Sequence, residues 1–185
     1  MLVISLVIFR YFLVIAAILL LALIAFIMFS FRDVVPFVPT PKKIIRQMIE
    51  LAEIKTNERI VDLGSGTGRI LIQAAKMHQE NLLVGFEKSF TLRKISKFFL
   101  FFHPLLKKRV QIVHEDFFNV NLGQFEVIFC FLTSEGLRRL TPKFALLKPG
   151  SRIISYMFPL ENYQGFNEYV ESVSTQDTIY LYKKI

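Results

Sequence analysis

Tryptophan is absent from this 185-residue sequence, and cysteine and histidine are scarce. The single cysteine, Cys130, excludes an intrachain disulfide framework and a thiolate-rich metal site. Because it lies in an apolar run, Cys130 is expected to be a buried core residue. The three histidines, His78, His103 and His114, lack the spacing of metal ligands and are expected at the surface or its boundary. We therefore expect no metal site.

Acidic residues are outnumbered by basic ones, 15 against 23, which leaves a formal net charge of +8. A basic balance is typical of proteins that bind nucleic acid or an anionic membrane surface, but it also occurs without a specific partner. The basic residues are scattered and do not outline a nucleic-acid groove. We expect no nucleic-acid partner.

Charge is missing entirely from residues 11–29. As a helix, this stretch would measure about 28 Å, close to the thickness of a bilayer's hydrocarbon core. A cleaved signal peptide is the alternative, but the apolar stretch is long for one. The pattern favours a transmembrane anchor over residues 1–32. More basic residues follow it than precede it, which predicts a single-pass membrane protein whose domain faces the cytoplasm.

Three prolines in residues 33–41 indicate an extended connector. Beyond it, strand-like and helix-like segments alternate over residues 42–185, and the early strands are apolar throughout. This pattern predicts one doubly wound α/β domain, with a mainly parallel sheet and helices on both faces. Strands are expected at 59–63, 82–86, 110–113, 125–132, 152–157, 169–173 and 178–182, and helices at 41–54, 68–78, 91–108 and 134–147.

The helix expected at residues 91–108 is rich in phenylalanine. Its helical periodicity predicts a core-facing stripe made of Leu92, Ile95, Phe99 and Phe102. Phe98 and Phe101 lie off that stripe, beside basic residues. Two interpretations stay open: a surface that lies on anionic lipid, and an ordinary sheet-covering helix with an additional aromatic face.

A glycine-rich turn follows the first predicted strand, with the spacing G-x-G-x-G at Gly64, Gly66 and Gly68. Glycines allow positive φ and close approach of a ligand, and the following helix N-terminus favours an anion. Dinucleotide-binding turns have the spacing G-x-G-x-x-G, and Asp62 before the turn would repel a pyrophosphate. A turn without any ligand is the other alternative. No Gly-Lys-Ser/Thr follows, which excludes a P-loop.

Acidic residues also end the next two predicted strands. Glu87 ends the second strand, where it can accept hydrogen bonds from two ribose hydroxyls. Asp116 follows the third, where it can accept from an adenine amino group, and the adjacent Phe117 or Phe118 can stack on the ring. Three acids at three successive strand ends are more specific than any one of them.

Together, residues 61–68, Glu87 and Asp116 resemble the class I methyltransferases that use S-adenosylmethionine (SAM). The resemblance covers roughly residues 41–185, which makes residues 42–185 the methyltransferase domain. It implies a Rossmann-like class I sheet, an enzyme and SAM as the cofactor. The cofactor-binding residues that it implies are Asp62, Gly64, Ser65, Gly66, Gly68, Glu87, Asp116 and Phe117.

Residues 36–40, 61–70 and 85–87 are further similar to the small membrane-anchored lysine methyltransferases that modify the ATP synthase c-subunit and the adenine nucleotide translocase. This likeness implies protein-lysine methylation, a membrane-protein substrate and a segment 36–40 that folds over the cofactor. The sequence departs from these relatives in the short region after the fifth strand, where substrate choice often resides.

No catalytic base is evident in the sequence. Thr133, near the end of the fourth strand, and Tyr156, on the fifth, are candidates for orienting an acceptor amine. No Asp/Asn-Pro-Pro-Tyr/Phe motif follows the fourth strand, which argues against base-amino methylation of DNA and against glutamine methylation. Two alternatives to lysine methylation stay open: a lipid, quinone or other small apolar acceptor, and a non-catalytic SAM-binding module.

Overall fold

The computed structural model describes residues 2–30, 38–175 and 177–185, and within the first of these ranges the side chains of residues 9–25. The chain divides into two compact units, Met1–Phe37 and Val38–Ile185. The first unit contains one helix, α1 (Leu2–Ser30). The predicted connector and the segment at 36–40 lie partly outside the described residues. The predicted division at residues 32 and 41 stays a prediction.

Whether a helix can span a membrane depends on its length and its apolar character. A helix needs about 20 predominantly apolar residues to cross a hydrocarbon core of about 30 Å. Among the residues whose side chains the structure describes, which for α1 are residues 9–25, no helix is long and apolar enough to do so. The prediction of a single-pass membrane protein with its domain facing the cytoplasm is therefore wrong, and the structure does not show the transmembrane anchor expected over residues 1–32.

The second unit is built on a seven-stranded sheet with the order β3-β2-β1-β4-β5-β7-β6. Strands β1 to β5 are parallel, and β7 pairs antiparallel with both β5 and β6. The predicted Rossmann-like sheet is confirmed. The strands are β1 (Arg59–Leu63), β2 (Leu82–Phe86), β3 (Val110–Val113), β4 (Val127–Cys130), β5 (Arg152–Tyr156), β6 (Phe166–Ser172) and β7 (Thr178–Lys184).

Four helices belong to this unit: α2 (Lys42–Leu51), α3 (Arg69–Met77), α4 (Phe90–Phe101) and α5 (Ser134–Ala145). The chain moves from β1 to β3 in one direction across the sheet and from β4 to β5 in the other. Right-handed crossovers therefore place α3 and α4 on one face and α5 on the opposite face. The reversal lies between β1 and β4, and in such sheets ligands bind at the carboxyl ends of the strands on either side of it.

The orientation of α4 differs from its prediction. Its buried residues are Ser96 and Leu100, whereas the expected core residues Ile95, Phe99 and Phe102 are exposed. The reason is steric: α4 lies so close to the start of α3 that a Cβ on Gly68 would be 3.4 Å from the Ser96 Cβ. A small side chain is needed at that contact, and a hydrophobic period does not reveal it.

Candidate active site

The glycine-rich turn lies at the carboxyl edge of the sheet, between β1 and α3. Gly64, Gly66 and Gly68 have φ values of +76°, +53° and +76°, a left-handed conformation that favours glycine. The backbone N–H groups of Gly64 and Ser65 donate to the Phe86 carbonyl oxygen at 3.0 and 3.1 Å. The turn is thus held against the end of β2, and Gly68 is the N-cap of α3.

Gly85 keeps room for this turn, a role that the sequence pattern did not predict. A Cβ on Gly85 would lie 2.5 Å from the Ser65 Oγ and 2.7 Å from the Leu71 Cδ1. Both separations are shorter than van der Waals contact, so any side chain at Gly85 would displace the turn. A glycine inside a strand signals such close approach.

Glu87 follows β2 and is buried. Its Oε2 accepts a hydrogen bond from the Gly66 N–H at 2.7 Å, and its Oε1 accepts one from the Ser89 N–H at 2.7 Å. A carboxylate has about four acceptor positions and can therefore accept more than two hydrogen bonds. Glu87 therefore ties the glycine turn to the start of α4, and Ser89 in turn caps that helix.

Asp62 is buried beside Glu87, on the strand register opposite Gly85. Burial, reinforced by the negative charge of Glu87, raises the pKa of the Asp62 carboxyl to about 8. At neutral pH the carboxyl is therefore mostly protonated. A cationic group placed against it would restore the charged form, which makes Asp62 suited to an ammonium ligand.

Asp116 follows β3 and caps a 3₁₀ helix, Phe117–Asn119. Its Oδ1 accepts from the Phe118 N–H at 3.0 Å, and its Oδ2 lies 3.7 Å from the Lys88 Nζ. Phe117 is buried, with its ring 3.7 Å from the position of a Cβ on Gly64. Phe117 thus borders the glycine turn, and Asp116 directly precedes Phe117 in the chain.

The Arg139 guanidinium covers the Phe118 ring, 3.8 Å from its centroid, and the Phe117 ring also packs against Phe118, with centroids 4.5 Å apart. The sequence pattern did not indicate this arginine.

The two candidates for orienting an acceptor have polar partners within the chain. The Thr133 hydroxyl caps α5 by accepting from the Gly136 N–H at 3.3 Å. The Tyr156 hydroxyl donates to Asp177, in the turn between β6 and β7. Burial, followed by this hydrogen bond, raises the Tyr156 pKa to about 12, so the phenol does not act as a base near neutral pH. Their proposed role stays a prediction.

These residues fit SAM. The buried Asp62 suits its ammonium group, and the N-terminus of α3 suits its carboxylate. Glu87 offers acceptors for two hydroxyls, and Asp116 with Phe117 offers an acceptor and a ring for adenine. The buried Ser65 Oγ, in the same turn, has no hydrogen-bond partner among the residues that the structure describes. The individual assignments stay predictions.

The sequence is similar to those of known lysine methyltransferases. The chain is 34% identical over 163 residues to a protein-lysine N-methyltransferase of Saccharolobus islandicus, covering 83% of this chain and 96% of that protein. It is 22% identical over 166 residues to the ATP synthase c-subunit lysine N-methyltransferase of Caenorhabditis elegans, covering 83% and 82%.

A solved structure gives independent support for the fold and the cofactor. An RNA methyltransferase from Salinibacter ruber, in complex with S-adenosylhomocysteine (SAH), superposes with a TM-score of 0.72 and is 28% identical. The superposition covers 80% of this chain and 94% of that one. Residues 62–166 match the model of the ANTKMT methyltransferase domain. This chain therefore belongs to the ANTKMT methyltransferase family and is an enzyme that uses SAM.

Proposed function

We propose that this enzyme transfers a methyl group from SAM to the side-chain amine of a lysine in a protein. The observation that carries the proposal is the 34% identity, over nearly the whole of its relative, to the protein-lysine N-methyltransferase of Saccharolobus islandicus. Two further relatives are named for a lysine of the ATP synthase c-subunit, which makes that polypeptide the first acceptor to test. The expectation of a membrane-protein acceptor stays a prediction.

The cofactor-binding part of the proposal assigns one group to each part of SAM. Asp62 would face the ammonium group, the glycine turn with the α3 N-terminus the carboxylate, Glu87 the ribose and Asp116 with Phe117 the adenine. When bound, SAM supplies the methyl group and is released as SAH. What the chain supplies is alignment, because the reacting atoms must lie in line for such a transfer.

The acceptor amine has to lose a proton before it can act as a nucleophile. A lysine with a pKa of about 10.4 is neutral in only about one molecule in a thousand near pH 7. Tyr156, with a pKa of about 12, cannot take that proton at neutral pH. We therefore propose that the chain desolvates and orients the amine, and that water takes the proton. The rate should then rise with pH over the neutral range.

Methyl-label transfer tests the proposal. Full-length protein is incubated with methyl-labelled SAM and an extract of cells that lack it, and the protein is then hydrolysed to amino acids. Label in methyllysine, lost in Glu87→Ala and retained in Glu115→Ala, is the expected result. Glu115 is a suitable control because it is an exposed acid in the loop after β3.

The same experiment distinguishes the alternatives. Label in RNA or in a lipid or quinone extract, with none in methyllysine, would overturn the acceptor class and keep the family and the cofactor. SAH binding without labelling of any fraction would instead favour a non-catalytic module.

A further inference from the structure

One continuous stretch of the catalytic domain carries positive charge only. Residues 88–114 contain seven lysines and arginines and no aspartate or glutamate. Arg109 is used internally, because its guanidinium donates to the carbonyl oxygens of Ala75 and His78 at 2.9 Å each. Lys94, Lys97, Lys107 and Lys108 are exposed. This stretch spans α4 and the turns that follow it.

The same stretch exposes large apolar side chains. Phe98, Phe101 and Phe102 are 61%, 64% and 61% exposed, and Leu105 is 86% exposed. Neighbouring rings contact each other edge-on, with centroids 5.0 Å apart for Phe98 and Phe102 and 5.6 Å for Phe101 and Phe102. With Ile95 and Phe99 they form one surface, here called the aromatic face. Soluble proteins rarely leave such a contiguous surface in water.

Lysines border the aromatic face. The Lys107 ammonium lies 5.0 Å from the Phe101 ring centroid, and the Lys94 ammonium lies 4.5 Å from that of Phe90. Because successive residues of a helix are 100° apart, Lys94 and Lys97 lie beside Phe101, at one side of the aromatic face. The buried residues Ser96 and Leu100 point the opposite way.

Three kinds of partner are compatible with exposed rings, and charge and shape separate them. A second copy of this chain would bring two acid-free, lysine-bordered surfaces together, and like charges repel. Single-stranded nucleic acid stacks its bases on the faces of separated rings, whereas these rings pack edge-on against one another. An apolar face with a lysine border is typical of helices that lie in the interface of an anionic bilayer.

We propose that the aromatic face and its lysines seat the catalytic domain on an anionic lipid surface. The phenylalanines and Leu105 enter the headgroup boundary, while the lysines contact the lipid phosphates and carboxylates. This surface belongs to the catalytic domain alone and requires no membrane-spanning helix. It goes beyond the proposed methyl transfer, because it concerns where the domain binds and not what it modifies.

A site-specific fluorophore tests the proposal in the full-length chain. Cys130 is fully buried, so a label attaches to an introduced cysteine. An environment-sensitive dye at Phe101→Cys is compared with the same dye at Leu146→Cys, an exposed apolar position after α5. The protein is mixed with vesicles of phosphatidylcholine alone or with added phosphatidylserine. We expect the emission of the dye to shift to the blue at position 101 and not at position 146. The shift should require phosphatidylserine and should be reversed by salt.

Charge variants give the size of the effect. Each substitution to glutamine at Lys94, Lys97, Lys107 or Lys108 should weaken binding to the anionic vesicles about fivefold. These exposed positions lie outside the proposed cofactor site, so SAH binding should not change, which separates this inference from the proposed function. An equal response at positions 101 and 146, or a blue shift caused by single-stranded RNA and not by vesicles, would overturn it.

Discussion

The two halves of the parallel sheet end differently at the carboxyl edge. At the ends of β1 and β2 lie a buried carboxyl with a raised pKa, a left-handed glycine turn and a serine hydroxyl without a hydrogen-bond partner among the described residues. At the ends of β4 and β5, the Thr133 hydroxyl caps a helix and the Tyr156 hydroxyl is bonded to Asp177. The first half therefore has polar groups that a ligand can satisfy, while the second satisfies its own. We infer that the first half is built for one cofactor and that the second contributes mainly shape.

The largest loss of SAH binding should come from substitution of Glu87, which connects the glycine turn to the start of α4. In Glu87→Ala the N–H groups of Gly66 and Ser89 lose their acceptor, and each unsatisfied buried donor costs about 1–3 kcal/mol. We expect SAH binding, measured by calorimetry, to weaken by about a hundredfold or more. Unchanged SAH binding in this variant would contradict the inference that the first half of the sheet edge binds the cofactor. Glu115→Ala serves as the control.

Gly85→Ala should perturb the same half by steric overlap. Its added Cβ would lie 2.5 Å from the Ser65 Oγ, and overpacking of this kind costs about 1–3 kcal/mol. Denaturant unfolding should show that loss, together with weaker SAH binding. Gly123→Ala is the matched control, since its nearest contact is 3.3 Å away, and it should change neither quantity appreciably. Equal behaviour of the two variants would contradict the tight contact.

Asp62 gives the first half a pH dependence. Its folded pKa, about 8, lies above its usual value of 3.8, so folding favours the protonated carboxyl. That contribution is complete below about pH 4 and is lost as the pH rises through 8. Without SAM, the free energy of unfolding should fall by up to about 1.4 kcal/mol per pH unit over this window. Asp62→Asn should abolish the dependence.

The same carboxyl should link SAM binding to pH. If an ammonium group binds the ionised form, affinity for SAM should rise as the pH approaches 8 and then level off. Titrations at several pH values would measure this, and the asparagine variant should bind weakly at all of them. An affinity that falls with pH in the wild type would exclude the assigned role.

The smallest effect is expected in the second half. Tyr156→Phe removes the hydrogen bond to Asp177, which should lower the free energy of unfolding by about 0.5–1.5 kcal/mol. SAH affinity should remain within about twofold of the wild type, because the Tyr156 hydroxyl is bonded to Asp177 and is not assigned to the cofactor. A large loss of SAH affinity would show that the two halves are not separable.

The sequence predicted the strands and the glycine turn of the first half more closely than the features of the second half. Glycines and acids at strand ends are local signals, and β1, β2 and β3 have the bounds expected from the residues alone. What the sequence did not reveal are contacts between distant segments. The approach of Gly85 to Ser65 and the hydrogen bond from the Gly66 N–H to Glu87 depend on how β2 lies beside β1.

The prediction for α4 failed for a physical reason. Apolar residues lie on both the buried and the exposed sides of α4, so the apolar period does not mark the buried face, and the helix packs against the start of α3 through the small Ser96. The sequence also did not predict the hydrogen bonds of the second half, at the ends of β4 and β5. Thr133 caps the helix that follows it, and the sequence did not distinguish this role from contact with an acceptor. The partner of Tyr156, Asp177, lies in the turn before β7 and is distant in the sequence.

The position of β7 has a consequence for how the protein is made. Thr178–Lys184 is the last strand in chain order, yet it lies inside the sheet, between β5 and β6. During synthesis, the five parallel strands emerge first, and one side of β5 stays without a hydrogen-bonding partner until β7 has left the ribosome. Among the described strands, β6 pairs with β7 alone, so it too has no place in the sheet before then. The nascent domain therefore presents an open strand edge until β7 arrives, and aggregation competes with folding during that interval.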